Sequence, residues 1–291
     1  MITAQAYAKI NWALDILATR ENGYHEMDML MQSVSLHDTL TFEEAEGIWL
    51  TTDGQPDPYG EKNLIVRAAR LLQEETGCAK GARISLTKRL PARAGMGGGS
   101  ADCAAAMLAL NQLWNLEISD QRLRELGFSL GADVVFCLVG GLQRVRGLGE
   151  ILEPLTACGQ PEMVILMPDE GLSTGPVFVG YDRCERTTPP VEMEKAQEAL
   201  LRGDYAAMDR YAQNVLTAPA MRVSAAIGPA LREMYALGAV MARMSGSGSA
   251  VFGVFPSAEA ADRAQRTLAE KYAFCERATT RPVGVEMERR A

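Results

Sequence analysis

A chain of 291 residues suits one large domain or two ordinary ones. With 47% hydrophobic and 23% charged residues it can build real cores and is not disordered. A net charge of -8 weighs against broad binding to nucleic acid or anionic membranes, so an anionic ligand must be met by local cations or backbone N–H donors.

The first residues, MITAQAYAKINWAL, lack a basic region followed by an apolar run and do not read as a secretion signal. Residues 8–16 alternate. Ala8, Ile10, Trp12, Leu14 and Ile16 share one face and Lys9, Asn11 and Asp15 the other, the period of a half-buried strand. Residues 20–25 read as a turn centred on Asn22-Gly23. The stretches MLMQSVSL, TLTFEEA and GIWLTTDG are expected strands. NLIVRAARLLQEETG is a helix capped by Asn63, with Ile65, Ala68, Ala69 and Leu72 as its apolar stripe and Gly77 as its end. ARISLTKRLP is a strand that runs into a glycine loop, and a helix is expected over 101–114. A second capped helix spans 119–131. The most apolar segment, FSLGADVVFCLVGGL, is too short to cross a bilayer and contains Asp133. GLQRVRGLGEILEPL reads as strand, Gly turn, strand.

Pro154, Gly159 and Pro161 interrupt the pattern, which divides the chain into domains 1–155 and 156–291. Beyond them EMVILMP is a buried strand, and helices are expected over 191–202, 205–216 and 225–237. VMARMSGSGSAVFGVF is two strands around a Gly-Ser turn; SAEAADRAQRTLAEKYA is a helix and the end is a strand. Strands and helices mix without βαβ regularity, so both halves are α+β. The cysteines at 78, 103, 137, 158, 184 and 275 are at least 21 positions apart, which leaves no CxxC and no zinc spacing. They read as reduced thiols of a cytoplasmic protein.

The segment Ala94-Gly95-Met96-Gly97-Gly98-Gly99-Ser100 precedes a helix. A helix start leaves unpaired N–H groups and carries about half a positive charge. Glycines there let a polyphosphate approach the backbone closely, although a plain strand–helix connection has the same composition. It is neither a Walker loop nor a G-x-G-x-x-G fingerprint. Lys9 is either an exposed lysine on a sheet or a cation beside a developing anion. Asp133 is either a helix cap or a general base, which a neighbouring lysine would orient. His25, beside Tyr24, is either structural or half of an aromatic and hydrogen-bonding pair for a flat heterocycle. The second glycine turn, within MSGSGSAVF, is an ordinary hairpin loop or a flap over substrate.

Taken together, AKINWALDI, NGYHEMDMLMQSVSLHD, NLIVRAARLL, GMGGGSADCAA, LGADVVF, RGLGEIL and MSGSGSAVFG resemble the GHMP family of small-molecule kinases along the whole chain. The resemblance implies a ribosomal S5 domain 2-like N-terminal domain and a ferredoxin-like C-terminal domain, with the site between them. It implies ATP and Mg2+ as cofactors, and Lys9 and Asp133 as the catalytic pair. Pro91, Ala94, Gly95, Met96, Gly97, Gly98, Gly99, Ser100 and Ala101 would wrap the ATP phosphates. The Gly-Tyr-His stretch implies a cytidine diphosphate ester as acceptor. Tyr24, His25 and Phe178 would hold its base, Asn11 would lie near the reacting hydroxyl, and Gly246, Ser247 and Gly248 would close over the site. Small molecules are then the expected partners, with no nucleic acid or membrane, in a monomer or homodimer. A GHMP kinase for another small alcohol and a catalytically silent nucleotide sensor are the rival implications. The family pattern is broken at Ala101, where a second serine is usual, at Val135, where proline is usual, and at Val215, where aspartate is usual.

Overall fold

Two long antiparallel strands, β1 (Ile2–Thr19) and β2 (His25–Ala45), form the spine of the first sheet. The computed structural model describes residues 1–21, 23–156, 158–168, 170–183 and 191–289. Asn22, half of the expected Asn-Gly turn, and Cys184 lie outside the described residues. MLMQSVSL and TLTFEEA, expected as separate strands, are one strand, because β2 serves two partners in succession.

Residues 39–45 of β2 pair with β5 and residues 27–32 with β6. The remaining elements of this half follow in chain order. They are β3 (Ile48–Thr52), β4 (Gln55–Pro56), α1 (Leu64–Thr76), β5 (Gly81–Thr87), α2 (Gly98–Trp114), α3 (Asp120–Leu130), α4 (Ala132–Val139), β6 (Leu142–Gly147) and β7 (Ile151–Leu155). The Asn63 carboxamide accepts the Ile65 N–H at 2.9 Å and Gly77 ends α1 at φ 69°, as its sequence requires. Helix α2 packs on β1, β2, α1 and α4, and residues 101–107 are all buried. A helix apolar on every side belongs in a core, and its alanines let the neighbours approach closely.

The second half contains β8 (Glu162–Met167), α5 (Thr174–Asp182), α6 (Met193–Arg202), α7 (Tyr205–Tyr211), α8 (Thr217–Val223), α9 (Ile227–Ala236), β9 (Met241–Met244), β10 (Val251–Phe255), α10 (Ala258–Ala269), β11 (Phe274–Ala278) and β12 (Val285–Arg289). Its sheet has the order β11-β8-β10-β9, antiparallel throughout, which is the fourth-first-third-second order of a ferredoxin-like domain. The chain is thus an α+β, two-layered pair of units. The division proposed at 155/156 falls between β7 and β8, strands of different sheets, while β12 returns to pair with β1.

β1 is not half-buried: residues 6–16 are buried throughout. Register shifts interrupt its alternation between Tyr7 and Lys9 and between Asn11 and Ala13. Trp12, at the second shift, stacks on Tyr205 at 5.7 Å and meets Phe252 edge-on at 5.3 Å, both in the second half. Beside it the Leu14 N–H donates to the Gln213 carbonyl (2.8 Å) and the Val215 N–H to the Leu14 carbonyl (3.1 Å). Those bonds explain a second departure. The helix expected over 205–216 stops at Tyr211, because the backbone at 213–215 is paired with β1 and cannot also pair within a helix.

Candidate active site

Gly97 adopts φ 69° and caps α2 with no side-chain hydrogen bond. The first intrahelical bond closes from the Ala101 N–H to the Gly97 carbonyl, so the N–H groups of Gly98, Gly99 and Ser100 have no acceptor within the helix. The helix starts at Gly98 rather than at the expected Ala101, and the glycines themselves present those donors. A cleft of about 1130 Å³ lies along this loop.

Lys9 runs beside the loop. Its backbone N–H donates to the Met96 carbonyl at 2.9 Å, and a Cβ on Gly97 would stand 3.0 Å from Lys9 Cγ. The Lys9 ammonium donates to Asn11 Oδ1 at 2.7 Å and lies 3.6 Å from Asp133 Oδ2. Lys9 is 3% exposed, so it is not a surface lysine. Asp133, whose side chain is 41% exposed, sits in the first turn of α4, whose cap is the backbone of Gly131 and not the Asp133 side chain. An amine from β1 and a carboxylate from α4 therefore meet beside backbone donors, in a cleft open enough to admit a substrate. Cys137, one turn beyond Asp133, is held well above the usual thiol range by burial, and Cys103 is pushed up to about 12 for the same reason. Both are neutral thiols and no nucleophile is available from them.

The second glycine turn is not a free flap. Ser245 Oγ donates to the Gly95 carbonyl at 2.9 Å and accepts the Asn11 N–H at 3.3 Å, and the Ala250 N–H donates to the Ala94 carbonyl at 3.1 Å. Gly246 approaches so closely that a Cβ there would lie 3.2 Å from Lys9 Nζ. Asn214 fixes the turn from behind: its amide donates to the carbonyls of Met244 (2.9 Å) and Gly246 (2.8 Å), and its Oδ1 accepts the Leu216 N–H (3.0 Å). Removing this buried amide strands those carbonyls. Asn214→Ala should lose about 2 kcal/mol or more, read as a fall in melting temperature of at least about 4 °C; an unchanged melting temperature would deny the clamp.

The cleft is lined by Lys9, Asn11, Pro91, Ala94, Gly95, Gly97, Gly98, Gly99, Ser100, Asp133, Phe178, Gly246 and Ser247. Met96 and Ala101 are buried beneath it, and a Cβ on Gly248 would face Met244, Leu172 and Ile227. Tyr24 is exposed and does not line the cleft. His25, which also does not line the cleft, packs against Phe178 with ring centroids 4.9 Å apart, and its Nε2 is 2.7 Å from Asp182 Oδ1.

Sequence reasoning missed several groups. Lys88 lies at the far side of the loop, where a Cβ on Gly98 would meet both it and Leu90. Its ammonium bridges Asp38 (2.5 Å) and Asp102 (2.9 Å), while Asp38 Oδ1 accepts the N–H groups of Arg89 and Leu90. Burial pushes the Asp102 carboxyl up to about 7, against the pull of Lys88 and with Asp38 adding to the rise. A basic residue just after β5, six positions before the glycine loop, was the available signal for Lys88; nothing local marks Asp38. Lys88, Thr52, Asp57, Asn63 and Leu64 also line the cleft. The lining thus draws on two groups of residues about the glycine loop, two arms, one including Asn63 and the other Phe178.

Comparison with known proteins agrees with this architecture. The pattern of the GHMP kinases N terminal domain matches residues 63–141, and that of the GHMP kinases C terminal domain matches residues 196–273. A 4-diphosphocytidyl-2-C-methyl-D-erythritol kinase of Thermoanaerobacter pseudethanolicus is 36% identical over 286 residues, 98% of each chain. One from Pelotomaculum thermopropionicum is 40% identical over 279 residues, 94% of each chain. A crystal structure of 4-(cytidine 5'-diphospho)-2C-methyl-D-erythritol kinase superimposes with a TM-score of 0.82 at 36% identity, covering 96% of this chain and 98% of the other. A mevalonate kinase at 12% identity shares the fold, with a TM-score of 0.75. Among the described residues no helix is long and apolar enough to cross a membrane. With both family domains matched in order and relatives this similar along nearly its whole length, the chain belongs to the GHMP kinases and is an ATP-dependent kinase of small molecules.

Proposed function

We infer that this kinase phosphorylates the 2-hydroxyl of 4-diphosphocytidyl-2-C-methyl-D-erythritol, a step of non-mevalonate isoprenoid biosynthesis, as the names of its relatives suggest. The observation that carries the reading is the meeting of Lys9 and Asp133 at 3.6 Å beside the glycine loop. Phosphoryl transfer must occur there, so the two arms take the two substrates. The nucleotide base of ATP lies toward Asn63 and the phosphates lie over Gly97–Ser100. The acceptor lies in the other arm, with its base toward Phe178 and His25.

The hydroxyl oxygen attacks the γ-phosphorus in line as Asp133 takes its proton, and the bond from that phosphorus to the bridging oxygen breaks, so that the oxygen leaves on ADP. Lys9 stabilises the charge on the attacking oxygen and, through Asn11, keeps a fixed place. Backbone donors of the loop take up charge on the phosphoryl oxygens. Such a reaction depends chiefly on positioning and electrostatics, which a buried lysine and a rigid loop supply.

The residues also suit Mg2+. Among the described residues no group of three or more His, Cys, Asp or Glu side chains could hold a metal alone. An ion that travels with nucleotide phosphates needs only one or two protein oxygens. Ser100, in the cleft at the start of α2, would hold it, and the ion would supply neutralisation of phosphate charge.

The test is ADP release by the purified protein with ATP, Mg2+ and the cytidine diphosphate ester. Release should require the ester. Release with homoserine or mevalonate in its place, and not with the ester, would reject this acceptor.

A further inference from the structure

The geometry points to Asp182 as a positioning residue that holds the His25 imidazole against Phe178 and so presets the aromatic wall of the acceptor arm. Helix α5 carries Phe178, Tyr181 and Asp182, three and four positions apart, so they share a face. His25, which begins β2, reaches all three. Its ring is 4.9 Å from Phe178 and 6.2 Å, edge-on, from Tyr181, and its Nε2 is 2.7 Å from Asp182 Oδ1. The His25 side chain is 9% exposed although it stands beside the exposed end of the β1–β2 hairpin.

This tie joins α5 to the start of β2. Val177 is its one fully buried residue; α5 packs on α8, and Phe178 and Tyr181 are only partly buried against the core, so the contact with His25 adds to what fixes Phe178 in the cleft. A ring hydrogen-bonded at one end and packed at a 40° tilt against Phe178 has one orientation, which a ring held by packing alone does not. A carboxylate oxygen only accepts, so the proton of the neutral ring is on Nε2. Asp182 touches no reacting atom; it acts through His25. It is expected to govern acceptor binding and to leave the chemical step alone.

The kinetic arm of the test rests on the acceptor proposed above, and the spectroscopic arm does not. The chain has two histidines. His37 presents Nδ1 to the Ser35 carbonyl at 3.0 Å and so carries its proton on Nδ1, opposite to His25. Nitrogen-15 spectra of the histidine side chains should show one ring of each tautomer. In Asp182→Ala the His25 ring should become a mixture while His37 is unchanged. Asp182→Asn keeps an acceptor of the same reach and should restore the Nε2–H form. In parallel, Asp182→Ala should raise KM for the cytidine ester about 5–10-fold, with kcat and KM for ATP within about twofold of the parent. Added to His25→Ala it should raise KM no further. An unchanged His25 tautomer in Asp182→Ala, an equal rise in both KM values, or full additivity with His25→Ala would each overturn the proposal. A parent enzyme inactive on the cytidine ester would remove the proposed acceptor and leave the tautomer result to decide on Asp182.

Discussion

Asp133→Asn should lower kcat by about 100- to 10,000-fold, equivalent to about 3–5.5 kcal/mol of transition-state stabilisation, with nucleotide affinity nearly unchanged. Asparagine has the size of aspartate and retains an acceptor oxygen, but it cannot take the proton of the acceptor hydroxyl. The substitution also leaves the neighbourhood intact. Lys9 keeps its bond to Asn11 at 2.7 Å, and α4 keeps its backbone cap at Gly131. Lys9→Met is a less clean probe, since it strands a buried carboxamide oxygen and empties space beside Gly97. Single-turnover rates with saturating ATP, alongside ADP binding by calorimetry, separate the chemical step from nucleotide binding. Turnover close to that of the parent would remove Asp133 from the mechanism. A loss of ADP affinity matching the loss of rate would make it a nucleotide ligand instead. If Asp133 and Lys9 work as a unit, the double variant should be little slower than the slower single one.

Local signals in the sequence were read well where one element settles the structure. Asn63 and Ser119 are side-chain caps, and β8 is the buried strand its apolar run suggests. The glycine loop opens a helix, as its composition requires. What could not be read depends on distant partners. The alternation at 8–16 identified a strand and put Lys9 and Asn11 together, but their burial comes from residues 213–215 and from the turn at 245–250. Helix α5 was missed because TGPVFVGYD, with glycine, proline and two valines, has neither helix propensity nor an apolar stripe. Without that helix the i, i+4 relation of Phe178 and Asp182 cannot be seen, nor their joint hold on His25. Asp38 and Lys88 are 50 positions apart and meet only because β2 and β5 pair. The resemblance supplied Phe178; the second glycine turn was legible from its own residues, and packing decides what that turn does.

Gly95→Ala and Gly99→Ala should fail in opposite ways, and the contrast tests how the phosphate loop is built. Gly95 has φ +73°, and a Cβ there would lie 2.1 Å from the Ser245 carbonyl oxygen and 3.0 Å from the Gly248 nitrogen. Both are backbone atoms of the opposing turn, which Asn214 holds in place. The left-handed conformation and the overlap together should destabilise the fold by roughly 2–5 kcal/mol. Because a displacement near 1 Å can cost about 100-fold in rate, what remains folded should also be a poor kinase. Gly99 has nothing within 4 Å of its would-be Cβ, lies in the first turn of α2 and lines the cleft. Alanine there should leave the melting temperature unchanged or raise it slightly, since alanine favours a helix over glycine by about 1 kcal/mol. Its methyl group would stand where a phosphate must touch the backbone, so KM for ATP should rise by about tenfold or more, the equivalent of one lost charge-assisted bond. Melting curves and KM for ATP on both variants decide the matter. A Gly95→Ala protein as stable as the parent would mean that the two turns are not locked together. A Gly99→Ala protein with the parental KM for ATP would mean that the phosphates bind elsewhere than at the start of α2.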